Sequence, residues 1–569
     1  MKVLRRNKVP LVTMLGEGEG SALVQDPLFQ AARLEEANTL AELRAEYQLV
    51  KEALASIGIC DVMIKSVGLA PSFPYKSDNL DLLYQPEDEE AVRAALVRMG
   101  YVELKNVEEP HKYLFRKFRA GRSVSAIHVH THVGWMVSFL DEEALWQRCY
   151  TAQDDPLVTV PASEDALLIA LAHCFYEDKR ISLLDVLKCV HCLRKGVDWT
   201  EVYRVATWRG WRDGLNVALL LYAYQEHVLY DETTVPLPIL QQAWHELPSW
   251  IRMFLERYLG AAAIHALCDG KQNIPAGLIQ MPLRIPFWFS KVLFYAKLVR
   301  DPTRSVGRKF KDLALHTGYG TKLRLHIRSQ PSMLITFSGV DGSGKTTQAK
   351  ALQSAFATCH IQANYVWNRG GSASWLRFFT KWGKKQAQEA QERSTTSTEA
   401  KVRSRQQRFR SLWLRWGWAW LTTVELLVRY TRRVALPLLL GRVVVCDRYV
   451  YDTLADWAAY FNDPAIEQRW AARVLRLLSP RPHLAYWLDV SPTDARTRSA
   501  DALPEDFLSA QCAFYRRLVL LYGLRRQEVS QRTWPEVSDG IVYEVLSKYF
   551  TRYRTLINFL FLKNPGQWR

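Results

Sequence analysis

The sequence predicts an α/β protein built from several structural units. Its 569 residues exceed one ordinary domain, for which about 150 residues is typical. An apolar run that begins at Met333 leads into a Gly-rich turn and then a helical pattern. Upstream, short apolar runs alternate with helical stretches over residues 46–145, whereas residues 146–270 are almost entirely amphipathic helix. We therefore predict an N-terminal α/β unit, a helical layer behind it, and a second α/β unit.

The predicted boundaries follow changes of composition along the chain. Four prolines and many basic residues between 271 and 330 indicate a connector. Within the second α/β unit, residues 376–410 form a polar, basic insert that we expect to be a mobile loop or a helix pair. The predicted units are a helical leader (1–45), an α/β domain (46–145), a helical domain (146–270), a basic linker (271–330), a second α/β domain (331–550) and a basic apolar tail (551–569).

Charge and cysteine content restrict the partners and the compartment. A net charge of +17 favours an anionic partner, which could be a phosphorylated metabolite, a nucleic acid or an acidic membrane surface. Nine cysteines without a dense framework indicate a reducing compartment. The basic start lacks a cleavage site, and no charge-free apolar run reaches 18 residues. We expect a cytoplasmic protein and leave peripheral attachment to a membrane open.

The strongest motif is a phosphate-binding loop. Gly339, Gly344, Lys345 and Thr346 have the G-x-x-x-x-G-K-[ST] spacing, between a strand-like run and a helical pattern. Glycines let backbone N–H groups face a phosphate, the lysine reaches the β and γ phosphates, and the hydroxyl binds Mg²⁺. The alternative is a Gly-rich turn without a ligand. We predict that ATP and Mg²⁺ bind here, with the nucleotide held by Gly339, Gly342, Ser343, Gly344, Lys345, Thr346 and Thr347.

The sequence segments in and after this loop resemble the thymidylate kinase family of nucleoside-monophosphate kinases. FSGVDGSGKTTQ is similar to that family's first motif, GRVVVCDRYVYDTLADW to its strand with a DRY motif, and YWLDVSPTDARTRS to its later strand and lid, over residues 331–545. The resemblance implies a nucleoside-monophosphate kinase fold with a parallel sheet. It also implies that Asp341 lies near the acceptor sugar, Asp447 near the metal and phosphates, and Arg448 at the acceptor phosphate. Without the resemblance, the Asp-Arg pair could equally be a structural ion pair.

The resemblance also implies a lid arginine, and here Gly342 and Ser343 stand where some members have an arginine in the loop. Arg496 and Arg498 are therefore the candidates for neutralising the transferring phosphoryl group. A solvated helix face is the alternative for both arginines. We assign catalysis to Lys345, Asp447, Arg448, Arg496 and Arg498, and metal binding to Thr346 and Asp447.

The acceptor side departs from the family pattern. Arg369 is retained within a stretch that lacks the family's Glu-Pro, and Glu425 is followed by Leu426 where the family has an arginine. Asp456 and Trp457 replace the Tyr-Gln pair that helps to hold thymine. We predict a kinase whose acceptor differs from dTMP. The acceptor residues are predicted to be Asp341, Arg369, Glu425 and Arg448.

The N-terminal half resembles uncharacterised bacterial nucleotidyltransferase-like proteins. The resemblance rests on MIKSVGLAPSFPYKSDNLDLLYQ and covers residues 45–230. Metal-dependent nucleotidyl transfer needs two carboxylates on one face of a strand and a third on its neighbour. Here those positions hold Asn79, Asp81 and His128. We expect a degenerate site kept for binding or scaffolding, unless a bulge re-aims Asp78.

Two further groups of residues allow a metal or a structural interpretation. His128, His130 and His132 alternate, which would place three imidazoles on one strand face, but a half-buried strand also alternates by default. Cys189 and Cys192 form a lone CxxC in a helical pattern. We favour core packing over zinc or redox chemistry for this pair.

Four tryptophans lie within eight residues in SLWLRWGWAWLTTVELLVRYTRRVALPLLL, beside Arg410, Arg415 and Arg429. A core helix of the kinase is the favoured interpretation, a membrane or partner surface the second, and nucleic-acid stacking the third. The expected partner is a small-molecule phosphoryl acceptor, and contact with a membrane surface is left open. A homodimer is left open, and no nucleic acid is expected because no known nucleic-acid module is recognisable.

The sequence is compatible with two functions. One is an ATP-dependent kinase fused to a nucleotidyltransferase-like domain. The other is a nucleotide-binding scaffold or regulator whose loop senses ATP without transfer. Asp447 and Arg448 favour the kinase, and the altered acceptor pocket favours the regulator.

Overall fold

The structure is a computed structural model, and it describes residues 6–13, 26–65, 79–104, 112–134, 137–271, 274–275, 280–324, 331–368, 398–499 and 503–561. The chain divides into two compact units. The first lies within Met1–Arg116 and Val124–Ile327, and the second within Lys117–Ser123 and Arg328–Arg569. Among the described residues, no helix combines the length and the apolarity needed to cross a bilayer.

The first unit begins with a mixed sheet covered by a long helix. The sheet has the strand order β1-β2-β5-β4-β3, with β1 antiparallel and β5 parallel to β2. Leu80, Leu82 and Val129 from the sheet share one core with Tyr47 of the long helix. The elements are α1 (Pro27–Ala55), β1 (Val62–Met63), β2 (Leu80–Leu83), α2 (Glu89–Arg98), β3 (Val102–Leu104), β4 (Lys112–Arg119) and β5 (Arg122–His130).

Helix α1 crosses the predicted boundary between residues 45 and 46. It starts where Asp26 caps the first turn by accepting from the Leu28 amide at 2.8 Å. Its later turns bury Leu43, Val50 and Leu54 against the sheet, so the predicted leader and the α/β domain share one helix. The polar start of the helix hid this, because Phe29 is the one buried residue of α1 before Leu43.

The helical layer follows, as the amphipathic pattern predicted. Helix α5 starts with a capping box, in which the Ser182 amide donates to Asp185 at 2.9 Å. Helix α7 buries every residue from Gly214 to His227. The elements are α3 (Glu142–Arg148), β6 (Tyr150–Thr151), β7 (Thr159–Val160), α4 (Ser163–Ala172), a π-helical turn (His173–Asp178), β8 (Arg180–Ile181), α5 (Leu183–Lys195), α6 (Trp199–Trp208), α7 (Arg212–Tyr230), α8 (Leu237–Glu246), α9 (Ser249–Leu259) and α10 (Ala261–Cys268).

The predicted linker at 271–330 is largely folded, which corrects the prediction. It contains β9 (Leu283–Arg284), α11 (Phe287–Arg300) and α12 (Val306–Arg324), and β9 pairs with β8. Phe289 and Leu293 of α11 belong to the core of the helical layer. Pro286 immediately precedes α11, and proline is well tolerated at a helix start, so it marks a new helix here rather than a connector.

The second unit contains a parallel sheet, as predicted. Its five strands have the order β11-β12-β10-β13-β14, and every adjacent pair is parallel. The central β10 and its neighbour β12 are buried along their whole length, which explains their continuous apolar sequence. The strands are β10 (Met333–Ser338), β11 (Ala363–Trp367), β12 (Val443–Asp447), β13 (Leu484–Asp489) and β14 (Arg525–Glu528).

Helices connect these strands. The part of the predicted insert that the structure describes includes a helix, α14, and residues 376–397 lie outside the described residues. The last helix runs past residue 550, so the predicted tail begins inside it. The helices are α13 (Lys345–Thr358), α14 (Thr398–Arg408), α15 (Leu412–Tyr430), a π-helical turn (Thr431–Ala435), α16 (Leu436–Leu439), α17 (Val450–Phe461), α18 (Trp470–Leu478), α19 (Pro492–Arg498), α20 (Glu505–Tyr522) and α21 (Trp534–Phe561).

Candidate functional site

The loop between β10 and α13 depends on glycine. Gly339 has a φ of +152° and Gly342 a φ of +85°, a region that side chains rarely adopt. A Cβ at Gly342 would lie 2.4 Å from the carbonyl oxygen of Ala495, and a Cβ at Gly339 would lie 2.8 Å from that of Leu488. Neighbouring backbone therefore excludes side chains at both positions. The tight turn that results leads directly into the N-terminus of α13, an end that favours anions.

Lys345 is buried inside this loop. Its Nζ donates to the carbonyl oxygens of Gly339 at 2.8 Å and Val340 at 2.7 Å, and the Asp341 carboxylate is 3.9 Å away. Burial, followed by the nearby Arg448 guanidinium, lowers the pKa of Lys345 to about 8. A cation in such a site gains from an anionic ligand, because the carbonyl partners are neutral and water is largely excluded.

Asp447 ends β12 beside the first turn of α13. Its Oδ2 accepts from the Thr346 hydroxyl at 2.5 Å and from the Tyr365 hydroxyl at 2.8 Å. Its Oδ1 is buried and makes no hydrogen bond within the described part of the chain. Leaving a buried carboxylate oxygen unsatisfied is costly, and a hard divalent cation would satisfy it. One carboxylate and one hydroxyl beside a buried lysine fit Mg²⁺ that also binds phosphate oxygens.

Arg448 follows Asp447 in a strained conformation. Its φ of +72° is unusual for a residue with a side chain, and its amide donates to the Phe337 carbonyl at 3.0 Å. Its guanidinium forms an ion pair with Asp341. Burial alone would lower the pKa of Arg448, but Asp341, Asp452 and Asp456 together outweigh it and raise the pKa, so the side chain stays charged. The strained turn thus holds a permanent cation beside the loop between β10 and α13.

Asp452 organises the base of the loop, and the sequence reasoning missed it. Its two oxygens accept from the Ser338 hydroxyl at 2.7 Å, the Gly339 amide at 3.2 Å, the Tyr449 amide at 2.8 Å and the Tyr515 hydroxyl at 3.0 Å. This carboxylate therefore ties the end of β10 to the start of α17. The available signal was an acid three residues after Tyr449, the capping-box position of a helix.

A partly open cleft lies beside the loop, with about 80 Å³ of space that water-sized molecules can enter. Asp341 and Arg448 line it, as do Asp456 and Trp457, the pair that departs from the thymidylate kinase pattern. The Gln511 amide donates to Asp456 Oδ1 at 2.7 Å. The aromatic side chains that line the cleft are Phe409, Trp418, Trp457, Tyr460, Phe461 and Phe507. A flat ring could stack in such a cleft while its polar edge meets Asp456 and Gln511.

The predicted lid arginines lie on α19, next to the loop. Ala495 of this helix is the residue whose carbonyl approaches Gly342, whereas Arg496 and Arg498 are both exposed. The structure therefore places the helix that carries both arginines against the loop.

The remaining predicted residues of the second unit are less closely gathered. Ser343 is buried, with its hydroxyl 3.5 Å from Lys345 Nζ, and Thr347 is exposed on α13. Glu425 is buried on α15 and pairs with Arg429 at 2.5 Å, and it is not among the residues that line the cleft. Arg369 lies outside the described residues.

A second carboxylate cluster lies in the first unit. Asp81 on β2 is opposite His128 on β5, as the predicted third position requires. Asp81 Oδ1 lies 3.2 Å from His128 Nδ1 and 2.9 Å from His130 Nε2. The three side chains offer ligand atoms within 4.8 Å of one another, which makes them a candidate metal-binding group. The sequence reasoning did not foresee that Lys65 also contacts Asp81 Oδ1, at 3.1 Å.

Charge within the first unit already compensates Asp81. Burial alone would raise the pKa of Asp81, but Lys65 and the two imidazoles outweigh it and hold that pKa well below its usual range. Burial likewise opposes the charge of Lys65, yet Asp81 and Glu177 raise the pKa of this lysine. Two hard Mg²⁺ ions need several carboxylates, so one carboxylate that already has an ammonium ion and two nitrogens around it does not fit them.

The other predicted positions of the first unit contribute less. Asn79 accepts from Arg116 at 3.3 Å, and Asp78 lies outside the described residues. Strand β5 ends at His130, so His132 is not on the strand and the prediction of three imidazoles on one strand face is wrong.

Cys189 and Cys192 are free thiols in the core of the helical layer. Burial raises the pKa of Cys192 to about 12, which leaves the thiol protonated and unreactive at neutral pH. The geometry therefore favours core packing for this pair.

Comparison with known proteins supports the interpretation of the first unit. A family model described as an uncharacterised nucleotidyltransferase matches residues 21–224. The chain therefore contains a nucleotidyltransferase-like domain, which confirms the resemblance predicted for residues 45–230 and extends it towards the N-terminus. The match ends within α7 of the first unit. A search of curated proteins finds no match to the chain.

Proposed function

We propose that the second unit is an ATP-dependent phosphotransferase of the thymidylate kinase type. It would transfer the γ-phosphoryl group to a nucleotide or to another acceptor that carries phosphate or sugar. The observation that carries the proposal is the meeting of Lys345, Thr346 and Asp447 at the carboxyl ends of β10 and β12. Ligands of parallel α/β sheets bind at this edge, and here the chain leaves β10 towards β11 and later crosses to β13 on the other side.

Each group has a role that follows from its position. The Lys345 ammonium would move from the loop carbonyls to the β and γ phosphates of ATP. Thr346 and Asp447 would hold Mg²⁺, which when bound supplies charge neutralisation at the phosphate oxygens. Arg448 has its donors at the rim of the cleft, where they can orient an acceptor phosphate, and Asp341 restrains them. Arg496 and Arg498 remain the lid candidates.

The cleft supports an acceptor other than dTMP. Asp456 carries a carboxylate that accepts hydrogen bonds, and it already receives one from Gln511. An acceptor whose edge offers hydrogen-bond donors would suit this carboxylate, whereas the carbonyl oxygens of thymine would be repelled by it. We expect kcat/KM for dTMP to stay below about 10⁵ M⁻¹s⁻¹, within the lower range for enzymes acting on their own substrates.

A scaffold or regulatory role is the second candidate, and the Asp81 cluster favours it for the first unit. With Lys65 beside its single carboxylate, this unit would bind or position a partner rather than transfer a nucleotidyl group. Full-length protein with Lys345→Ala should release no pyrophosphate from any nucleoside triphosphate with Mg²⁺ or Mn²⁺. Pyrophosphate release that disappears on adding Asp81→Ala would contradict a degenerate site.

Phosphotransfer is tested by following ADP formation from MgATP with a panel of nucleoside monophosphates and sugar phosphates. Lys345→Ala should lower the rate by about two orders of magnitude or more, because a fixed counter-charge on the transferring phosphates is lost. Lys350→Ala is the matched control, since Lys350 is an exposed lysine on the same helix. ATP binding without transfer to any acceptor would favour the regulatory alternative. Equal rates in the two variants would remove the loop from the mechanism.

A further inference from the structure

An apolar stripe runs along the exposed side of α15. Trp413, Trp420, Val424 and Val428 are all exposed, and Trp413 most of all, at 91%. Their spacings of seven, four and four residues place them on one face of an α-helix. Isolated exposed apolar residues are ordinary, but a continuous row that includes two tryptophans is not. The interpretation of this helix as a core helix therefore holds for only one of its faces.

Helices α16 and α18 also carry exposed apolar residues. Leu439 at the end of α16 is 84% exposed, and on α18 Trp470 and Leu477 are 73% and 79% exposed. Helix α18 packs against α15, where the Thr423 hydroxyl lies 3.4 Å from the Ala471 carbonyl oxygen. We call the exposed residues Trp413, Trp420, Val424, Val428, Leu436, Leu439, Trp470 and Leu477 the apolar face.

The segments that carry the apolar face are strongly basic, although Asp463, just outside them, pairs with Arg469 at 2.9 Å. Residues 410–442 and 469–483 contain a single acidic residue, Glu425, which is buried and paired with Arg429. Exposed arginines lie within the same segments, among them Arg432 and Arg433 before α16 and Arg473 and Arg476 on α18. The arginines of these segments are Arg410, Arg415, Arg429, Arg432, Arg433, Arg442, Arg469, Arg473, Arg476 and Arg481.

We propose that the apolar face docks on an anionic membrane surface. Tryptophan and leucine enter the interface between headgroups and acyl chains, and arginines at the edge pair with lipid phosphates. A second copy of the chain is a poorer occupant. A two-fold contact would set this arginine-rich surface against itself, with no acidic residue of these segments free to pair with it.

Vesicle binding by the full-length protein tests the proposal. Co-sedimentation should be strong with vesicles of equimolar phosphatidylglycerol and phosphatidylcholine, and weak with phosphatidylcholine alone. Leu439→Glu with Leu477→Glu should lower vesicle affinity by about tenfold or more, because two apolar side chains that the membrane would bury are lost. The matched control is Leu28→Glu with Leu49→Glu, which changes two exposed leucines of α1. Circular dichroism should show all variants folded.

A second pair of variants isolates the charge. Arg432→Gln with Arg433→Gln should weaken binding by about fivefold or more and reduce its salt dependence, since each arginine near an anionic surface adds to the attraction. Arg403→Gln with Arg408→Gln, at exposed positions of α14, is the control and should change little.

Three results would overturn the proposal. They are equal binding to neutral and anionic vesicles, equal losses in the leucine variants and their controls, and a lipid-free dimer that Leu439→Glu with Leu477→Glu dissociates. Light scattering after size exclusion distinguishes the last case, which would assign the apolar face to a second copy of the chain.

Discussion

Asp447 and Asp81 are both buried carboxylates at a parallel strand pair, yet their surroundings differ. Asp447 receives two neutral hydroxyl donors on one oxygen, and its other oxygen has no hydrogen bond within the described residues. Asp81 has an ammonium ion and two imidazole nitrogens around a single oxygen. The second unit thus leaves a negative charge for an outside cation, whereas the first supplies its own cation.

The difference shows that a carboxylate on a strand does not by itself predict a metal site. A carboxylate binds a metal only if the protein has not already neutralised the carboxylate's negative charge. A lysine whose charge is stabilised by the carboxylate competes with any metal for the same oxygen. Hydroxyl donors fix the orientation of a carboxylate but leave its charge intact, so the electrostatic attraction for a divalent cation persists.

The largest expected difference between the Asp447 and Asp81 variants is in the rate of phosphotransfer. Asp447→Asn should lower ADP formation from MgATP by about two orders of magnitude, because the amide cannot hold the metal's charge. Asp81→Asn should leave that rate within about twofold, since this residue lies outside the proposed machinery. Initial rates at saturating ATP, measured on the full chain, provide the check. A comparable loss in both variants would mean that the two clusters serve one reaction.

The glycine-dependent turn between β10 and α13 could be predicted because its requirements are local. Gly339 and Gly342 are needed for a turn of a few residues, and Lys345 and Thr346 follow at fixed spacing. The parallel sheet was also predictable from the buried apolar strands. The prediction of a linker at 271–330 was wrong because proline occurs both in connectors and at helix starts. Pro286 stands at the start of a helix.

Contacts between distant segments could not be predicted from the sequence. Lys65 reaches Asp81 from another part of the chain, and nothing in a single lysine signals such a partner. Asp452 resembled an ordinary residue of a helix start, although it also binds the end of β10. The exposed side of α15 was equally hidden, since tryptophans in a helical pattern suggest a core until their burial is known.

A second contrast concerns stability. Asp81→Asn should lower the free energy of unfolding of the first unit by about 3 kcal/mol, the lower end for a buried pair, because a quarter of the Lys65 side chain is exposed. Asp447→Asn should change stability little, because it removes a buried charge that has only neutral donors. Hydrogen exchange at the amides of β2 and β12 separates the two units.

The low pKa of Asp81 gives the stability contrast a pH dependence. The Asp81 contribution is present above its unfolded pKa near 3.8 and is lost as the pH falls through the lower folded value. Equal protection of β2 in Asp81→Asn and the wild type at neutral pH would contradict the assigned ion pair.

The third contrast is the effect of alkaline pH on the second unit. Lys345 has a pKa near 8, and the phosphates of bound ATP would raise that pKa. ATP affinity should therefore fall by up to tenfold per pH unit above pH 8, until the pH reaches the pKa of Lys345 in the ATP complex. The Lys345 contribution to unfolding free energy should rise over the same range, up to the unfolded pKa of 10.5, because the unfolded chain binds the extra proton. Calorimetric titration of ATP checks the affinity. A pH dependence that Lys345→Ala retains would assign it to another group.

The smallest contrast concerns the acceptor. Asp456→Asn should raise the acceptor KM by about threefold to tenfold with little change in kcat, because one neutral amide replaces a carboxylate at the base of the cleft. Asp506→Asn, at an exposed position of α20, is the matched control. Steady-state kinetics with the best acceptor of the panel give both constants. A fall in kcat alone would place Asp456 in the chemical step instead of in acceptor binding.

The central claim, that Asp447 keeps a charge for an outside cation and Asp81 does not, is tested most directly by paramagnetic resonance of Mn²⁺ in the presence of a non-hydrolysable ATP analogue. Wild-type protein should give a bound Mn²⁺ signal that persists in Asp81→Asn and disappears in Asp447→Asn. A signal that survives Asp447→Asn but is lost in a folded Asp81→Asn would contradict the account.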